Sequence, residues 1–119
     1  DYVLVFDSGF TFITDICEFE KKDTKYIITT HLSKEELLAK KPELKDKQVF
    51  IVDCIKISQE EIGSPIPNAP MLGAFIKVSG LLDLDFFLQS FKKVLGKKLP
   101  QAIIDKNMVA ITRAYNEVG

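Results

Sequence analysis

The chain has 119 residues, the size of one ordinary domain, and is 46% hydrophobic and 28% charged, a composition that supports a real core and excludes wholesale disorder. Lys plus Arg total 16 against 17 Asp plus Glu, too even a balance to hold a polyphosphate chain, so nucleic acid is excluded as a first reading. The longest apolar stretches, such as Tyr2–Phe6 and Met71–Ile76, fall far short of a membrane span.

The first element is the apolar run Tyr2–Phe6, ended by Asp7-Ser8-Gly9. Tyr26–Thr30 and Val49–Val52 have the same character. Runs rich in β-branched and aromatic residues, with little alternation, suit strands covered on both faces, as in parallel sheets. The segments between them are too long for hairpins, so crossover connections are expected and the class is α/β. The first connection, Phe10–Lys22, is ambiguous: its Phe, Ile and Thr content is poor for the helix a crossover needs. In the second, Ser33-Lys34-Glu35-Glu36 is a capping box that predicts a helix to about Lys41, stopping before Pro42. Ser58-Gln59-Glu60-Glu61 repeats the signal and predicts a single helical turn closed by Gly63.

Beyond the extended loop Ser64–Pro67 the chain reads as wholly helical. Asn68 is the expected N-cap of a helix from Ala69 to about Ser79. Asp83 caps the next, where Leu84, Phe87, Leu88, Phe91, Val94 and Leu95 form an apolar stripe at i, i+3, i+4 and i+7 spacing, and Gly96 ends it. Pro100 opens the last helix, with Ile104, Met108, Ile111, Tyr115 and Val118 on its apolar face. Residues 1–119 form one domain with no linker or internal repeat. The sequence opens in mid-strand, and three strands would leave a bare edge beside the first. The reading is therefore a truncated domain whose upstream residues supply a further strand.

Chemistry is sparse. Cys17 and Cys54 are far apart and have no Cys or His partner at ligand spacing, so no metal site is expected. Two reduced thiols point to the cytoplasm. Neither a glycine-rich phosphate loop nor a GxSxG nucleophile elbow is present, and no catalytic residue is assigned. His31, the only histidine, follows the second strand, while Asp7 and Asp53 end the other two. Open parallel sheets bind ligands at that end. Polar residues also simply terminate strands, and that plainer account carries more weight. The carboxylates Asp83, Asp85, Glu60 and Glu61 are assigned to helix starts, and Lys92, Lys93, Lys97 and Lys98 to a helix end, where the macrodipole favours each sign. Ala69, Gly73 and Gly80 are expected on one helical face that packs closely, either inside the chain or against a neighbouring subunit. Asn68, Met71, Gly73 and Gly80 are the residues chosen for that close packing or interface.

The block Asn68-x-x-Met71-Leu72-Gly73-Ala74, with Gly80-Leu81-Leu82, the Asp83–Gly96 helix, Lys106-Asn107 and Arg113-Ala114-Tyr115, resembles the C-terminal part of the gamma subunit of pyruvate and other 2-oxoacid:ferredoxin oxidoreductases. Asp1–Asp7 is similar to that family's central strand, and Ile55–Gly63 to its short connecting helix. The resemblance implies a three-layer α/β/α fold with a mostly parallel sheet and a helical C-terminal half. It also implies a non-catalytic role in a complex that converts pyruvate to acetyl-CoA. Thiamine diphosphate, magnesium, iron–sulfur clusters and coenzyme A are then used by the complex rather than bound by this chain. The implied partners are thiamine-diphosphate-binding alpha and beta subunits and a ferredoxin-like delta subunit, with neither nucleic acid nor membrane. Two other readings stand beside it: a small-ligand-binding module at the Asp7/His31 rim, and an adaptor acting through the Ala69/Gly73/Gly80 face.

Overall fold

The computed structural model describes residues 2–6 and 24–119. The sequence-based expectations for Asp7, the Asp7-Ser8-Gly9 turn, Cys17 and the Phe10–Lys22 connection lie outside the described residues. Three parallel strands, β1 (Tyr2–Val5), β2 (Lys25–Thr29) and β3 (Gln48–Val52), form a sheet in the order β1-β2-β3. Leu4 pairs with Ile27, and Ile27 with Phe50, so β2 is hydrogen-bonded on both sides. Its Tyr26, Ile27 and Ile28 are fully buried, as the continuous apolar run predicts for a strand with both faces covered. On the outer edge of β3, Ile51 and Gly119 exchange both backbone hydrogen bonds, at 2.9 and 3.1 Å, in the manner of an antiparallel pair.

The period of two along the strands sorts the core into two layers. Val5, Tyr26, Ile28 and Val49 point to one face, where they meet Leu37 of helix α1 (Lys34–Lys40) and Leu44 of a 3-10 turn (Pro42–Leu44). Ile27 and Val52 point to the other, against Cys54 and Ile57 of α2 (Cys54–Glu61), Met71 and Ala74 of α3 (Asn68–Ser79), and Ala110 and Ala114 of α5 (Gln101–Glu117). Helix α4 (Leu84–Leu95) lies outside this layer. The arrangement is the three-layer α/β/α fold with a helical C-terminal half.

Most local signals act as the sequence predicts. The capping box of α1 is closed in both directions, Glu36 N donating to Ser33 Oγ and Ser33 N to Glu36 Oε1, each at 3.1 Å. Those bonds hold the Glu36 carboxyl below its ordinary pKa, the Ser33 backbone bond contributing most. Asp83 caps α4 through Phe86 N, and Gly63 ends its helix with φ +86°.

Several expectations are corrected. Ser58 does not open a helical turn: α2 begins at Cys54, capped by Asp53, and Ser58 is buried in its middle. Glu60 and Glu61 therefore stand in the last turn of α2, not at a helix start. Asn68 is the first residue of α3 rather than its cap, which is Pro67 with no side-chain bond. The apolar stripe of α4 is present, yet no residue of that helix is fully buried, and Val94 is 64% exposed.

Candidate functional site

Close packing centres on Gly73. A Cβ at this position would overlap the backbone carbonyl of Ile111 on α5 and lie 2.8 Å from its carbon. Glycine alone lets the two helices approach this closely. Met71, 1% exposed, buries its side chain in the same layer. Gly80 plays a different part: nothing lies within 4 Å of its Cβ position, and its φ of +65° makes it the left-handed cap of α3. Asn68 is exposed and Ala69 half-buried. The face drawn through Ala69, Gly73 and Gly80 is thus not one contact surface, and its centre is taken by a helix of the same chain. An adaptor acting through it is set aside.

The strand-end rim exists as a small open cavity of about 330 Å³ lined by Thr29, Thr30, His31, Asp53, Ile55, Lys56, Gln59 and Pro65. Its polar groups are mostly engaged in building the fold. Asp53 Oδ1 accepts from Lys56 N at 3.1 Å, which starts α2. The buried hydroxyl of Thr29 accepts from Cys54 N at 2.9 Å, tying the strand end to the helix start. Thr30 Oγ1 accepts from Leu32 N at 3.1 Å and turns the chain outward. His31 is exposed. The terminating role of these polar residues is therefore visible in the hydrogen bonds.

A larger cleft of about 700 Å³ lies between the α2–α3 loop, α3, α4 and the start of α5. Ile62, Ile66, Leu72, Phe91, Leu95 and Leu99 make its walls, with Ser58, Ser64, Asn68 and Asn107 as polar members. None of the described lining residues is charged, so the cleft suits apolar surface rather than an ionic substrate. Ser58 lies beneath it, fully buried, its hydroxyl without a hydrogen-bond partner among the described residues. Sequence reasoning missed this cleft, because its walls come from segments spread along the chain from Phe6 to Asn107.

Burial pushes the Cys54 thiol up to about 12, the Thr29 hydroxyl pulling weakly the other way, so it is not a thiolate at neutral pH. Among the described residues no three His, Cys, Asp or Glu side chains converge on a metal position, and the buried Cys54 does not fit an iron–sulfur ligand set. No helix among the described residues is long and apolar enough to cross a membrane.

One charged constellation went unread in the sequence. Arg113 on α5 donates to Glu60 at 2.6 Å and Glu61 at 3.2 Å on α2, and to Glu117 one turn on. These bonds, that to Glu60 foremost, hold the guanidinium above its ordinary pKa, and the Glu60 carboxyl is held below its own. The cluster braces α2 against α5 across the helical layer.

The profile of the pyruvate ferredoxin/flavodoxin oxidoreductase family matches residues 1–117. The chain belongs to that family. The pyruvate synthase subunit PorC of Thermotoga maritima is 42% identical over 71 residues, which are 60% of this chain and 37% of that protein. The common gamma subunit of the pyruvate and ketoisovalerate oxidoreductases of Pyrococcus furiosus is 32% identical over 117 residues, 98% of this chain and 60% of the relative. The crystal structure of the T. maritima pyruvate oxidoreductase subunit PORC superposes with a TM-score of 0.81 at 30% identity, covering 99% of this chain and 63% of that one. The chain spans less than two thirds of the length of these relatives. Within this oxidoreductase family, then, it carries the three-layer sheet domain together with the Gly73 contact and the apolar cleft.

Proposed function

We propose that this chain is the gamma part of an oxidoreductase complex that decarboxylates pyruvate, transfers the acyl group to coenzyme A and passes electrons to ferredoxin or flavodoxin. Its own part in that reaction is structural. The observation that carries the reading is the family match across residues 1–117, joined to relatives named as PorC or gamma subunits over 98 to 99% of the chain. The chemistry of the described residues agrees with it: the one described thiol is buried and protonated, and the polar groups at the strand ends cap helices and turns. Thiamine diphosphate, magnesium and the iron–sulfur clusters are assigned to the thiamine-diphosphate-binding alpha and beta subunits and a ferredoxin-like delta subunit, and coenzyme A to the complex as a whole. The cytoplasm is the proposed site of action.

The test is a division of activity. An affinity-tagged chain should co-purify with larger subunits, and the complex should reduce a viologen dye when given pyruvate and coenzyme A. The isolated chain, at the same molar concentration, should give no pyruvate-dependent reduction. Turnover by the isolated polypeptide would refute the structural role; failure to recover larger subunits would remove the partners.

A further inference from the structure

Beside the cleft, the exposed side of α4 carries apolar side chains that the proposed role does not use. Phe86 is 62% exposed and Val94 64%, large values for an aromatic and a branched side chain on an ordered helix. They stand eight residues apart on one ridge inclined to the helix axis, with half-buried Ser90 midway between them at i, i+4 and i+8. The ridge continues to Asp83 before the helix and to Lys97 after it. The order is thus Asp83, Phe86, Ser90, Val94, Lys97, with spacings of 3, 4, 4 and 3, the same read in either direction.

We infer that this ridge pairs with a second copy of the chain, α4 lying antiparallel on α4 about a two-fold axis at Ser90. In an isologous contact the same patch meets itself in reverse. Phe86 then faces the partner's Val94, and Val94 the partner's Phe86. Asp83 faces the partner's Lys97, acid against base, at both ends. Leu81, 68% exposed, faces the partner's Leu99, 39% exposed and also at the border of the cleft, just beyond each charged pair. The small hydroxymethyl of Ser90 sits at the crossing, where a larger side chain would hold the helices apart. Lys97 has no ion-pair partner among the described residues, and Asp83 uses one carboxylate oxygen to cap Phe86 N, leaving the other to accept. A parallel arrangement would bring acid onto acid and base onto base, so charge selects the antiparallel one. A helix of this length is about 18 Å long. The contact is smaller than the roughly 1,200 Å² of stable interfaces, so pairing is micromolar or weaker when nothing else holds the copies together.

The test places a thiol on the axis. In the full chain, Ser90→Cys should give a disulfide-linked species of twice the chain mass under mild diamide oxidation. Its yield should exceed that of Asn116→Cys, exposed but off the ridge, by about tenfold. In the Ser90→Cys background, Val94→Lys should cut that yield about tenfold, and adding Phe86→Glu to the same chain should restore most of it. The restoration is specific to the antiparallel register, since only there do the new acid and the new base meet. Equal cross-linking at positions 90 and 116 overturns the pairing. A double variant that stays as weak as Val94→Lys overturns the register, and protection of the ridge by a different subunit in the purified complex assigns it to that subunit instead.

Discussion

At Gly73 and Gly80 the same residue type answers two different physical demands. The backbone of Ile111 leaves no room for a methyl group at Gly73, and backbone cannot swing aside as a flexible side chain can. Alanine in mid-helix would gain about 1 kcal/mol of helix propensity, but overpacking costs about 1–3 kcal/mol. With a carbonyl as the obstacle the upper part of that range applies. Gly73→Ala should therefore lower stability by about 2 kcal/mol net, read from the urea midpoint at constant slope. Gly80→Ala meets no neighbour and should lose about 1 kcal/mol through its positive φ alone. Should Gly73→Ala prove stabilising, the α3–α5 approach is looser than described. Spacing along the sequence marked both glycines as unusual. It could not separate them, since a close approach depends on which helix arrives opposite, and a cap on where the chain leaves the axis.

Among the elements, α2 shows how a correct local signal misleads. Ser58 to Glu61 has the form of a capping box, but Asp53 five residues earlier already starts the helix, and Cys54, Ile57 and Ser58 turn one face into the core. The acidic end so produced meets Arg113. A carboxyl whose folded pKa is depressed stabilises the fold above its unfolded pKa and loses that contribution as pH falls through the folded value. Glu60, lowered from 4.5, is such a group, half-exposed and screened, so its effect is small. Arg113→Ala should weaken the protein at pH 7, and its deficit relative to the unaltered chain should shrink below about pH 4.5. Paired urea titrations at pH 7 and pH 3.5 measure this. A deficit unchanged between the two would mean that Arg113 acts through the packing of its aliphatic stem rather than its charge.

Across the whole molecule, stability is unevenly distributed. The sheet and helices α2, α3 and α5 share a buried layer, whereas α4 has its apolar stripe only half covered. Helices with few buried contacts open at lower free energy. In dilute solution the amides of residues 84–95 should therefore exchange with deuterium faster than those of α3 and α5, measured by mass spectrometry. Protection of α4 equal to that of α5 would contradict its peripheral place. On α5 only Ile104 and Ile111 of the expected apolar face are buried, beside Ala110 and Ala114, whereas strand positions, the parallel class, the cap of α1 and the limits of α4 were all determined by the sequence itself. Each follows from side chains a few residues apart, whose periodicity and hydrogen-bonding capacity act locally. The division of helices between the two sheet faces, the Gly73–Ile111 contact, the Arg113 cluster and the apolar cleft were decided only by the tertiary structure. They join segments far apart in the chain, Arg113 and Glu60 being 53 residues from each other, and no local pattern encodes which surfaces will meet.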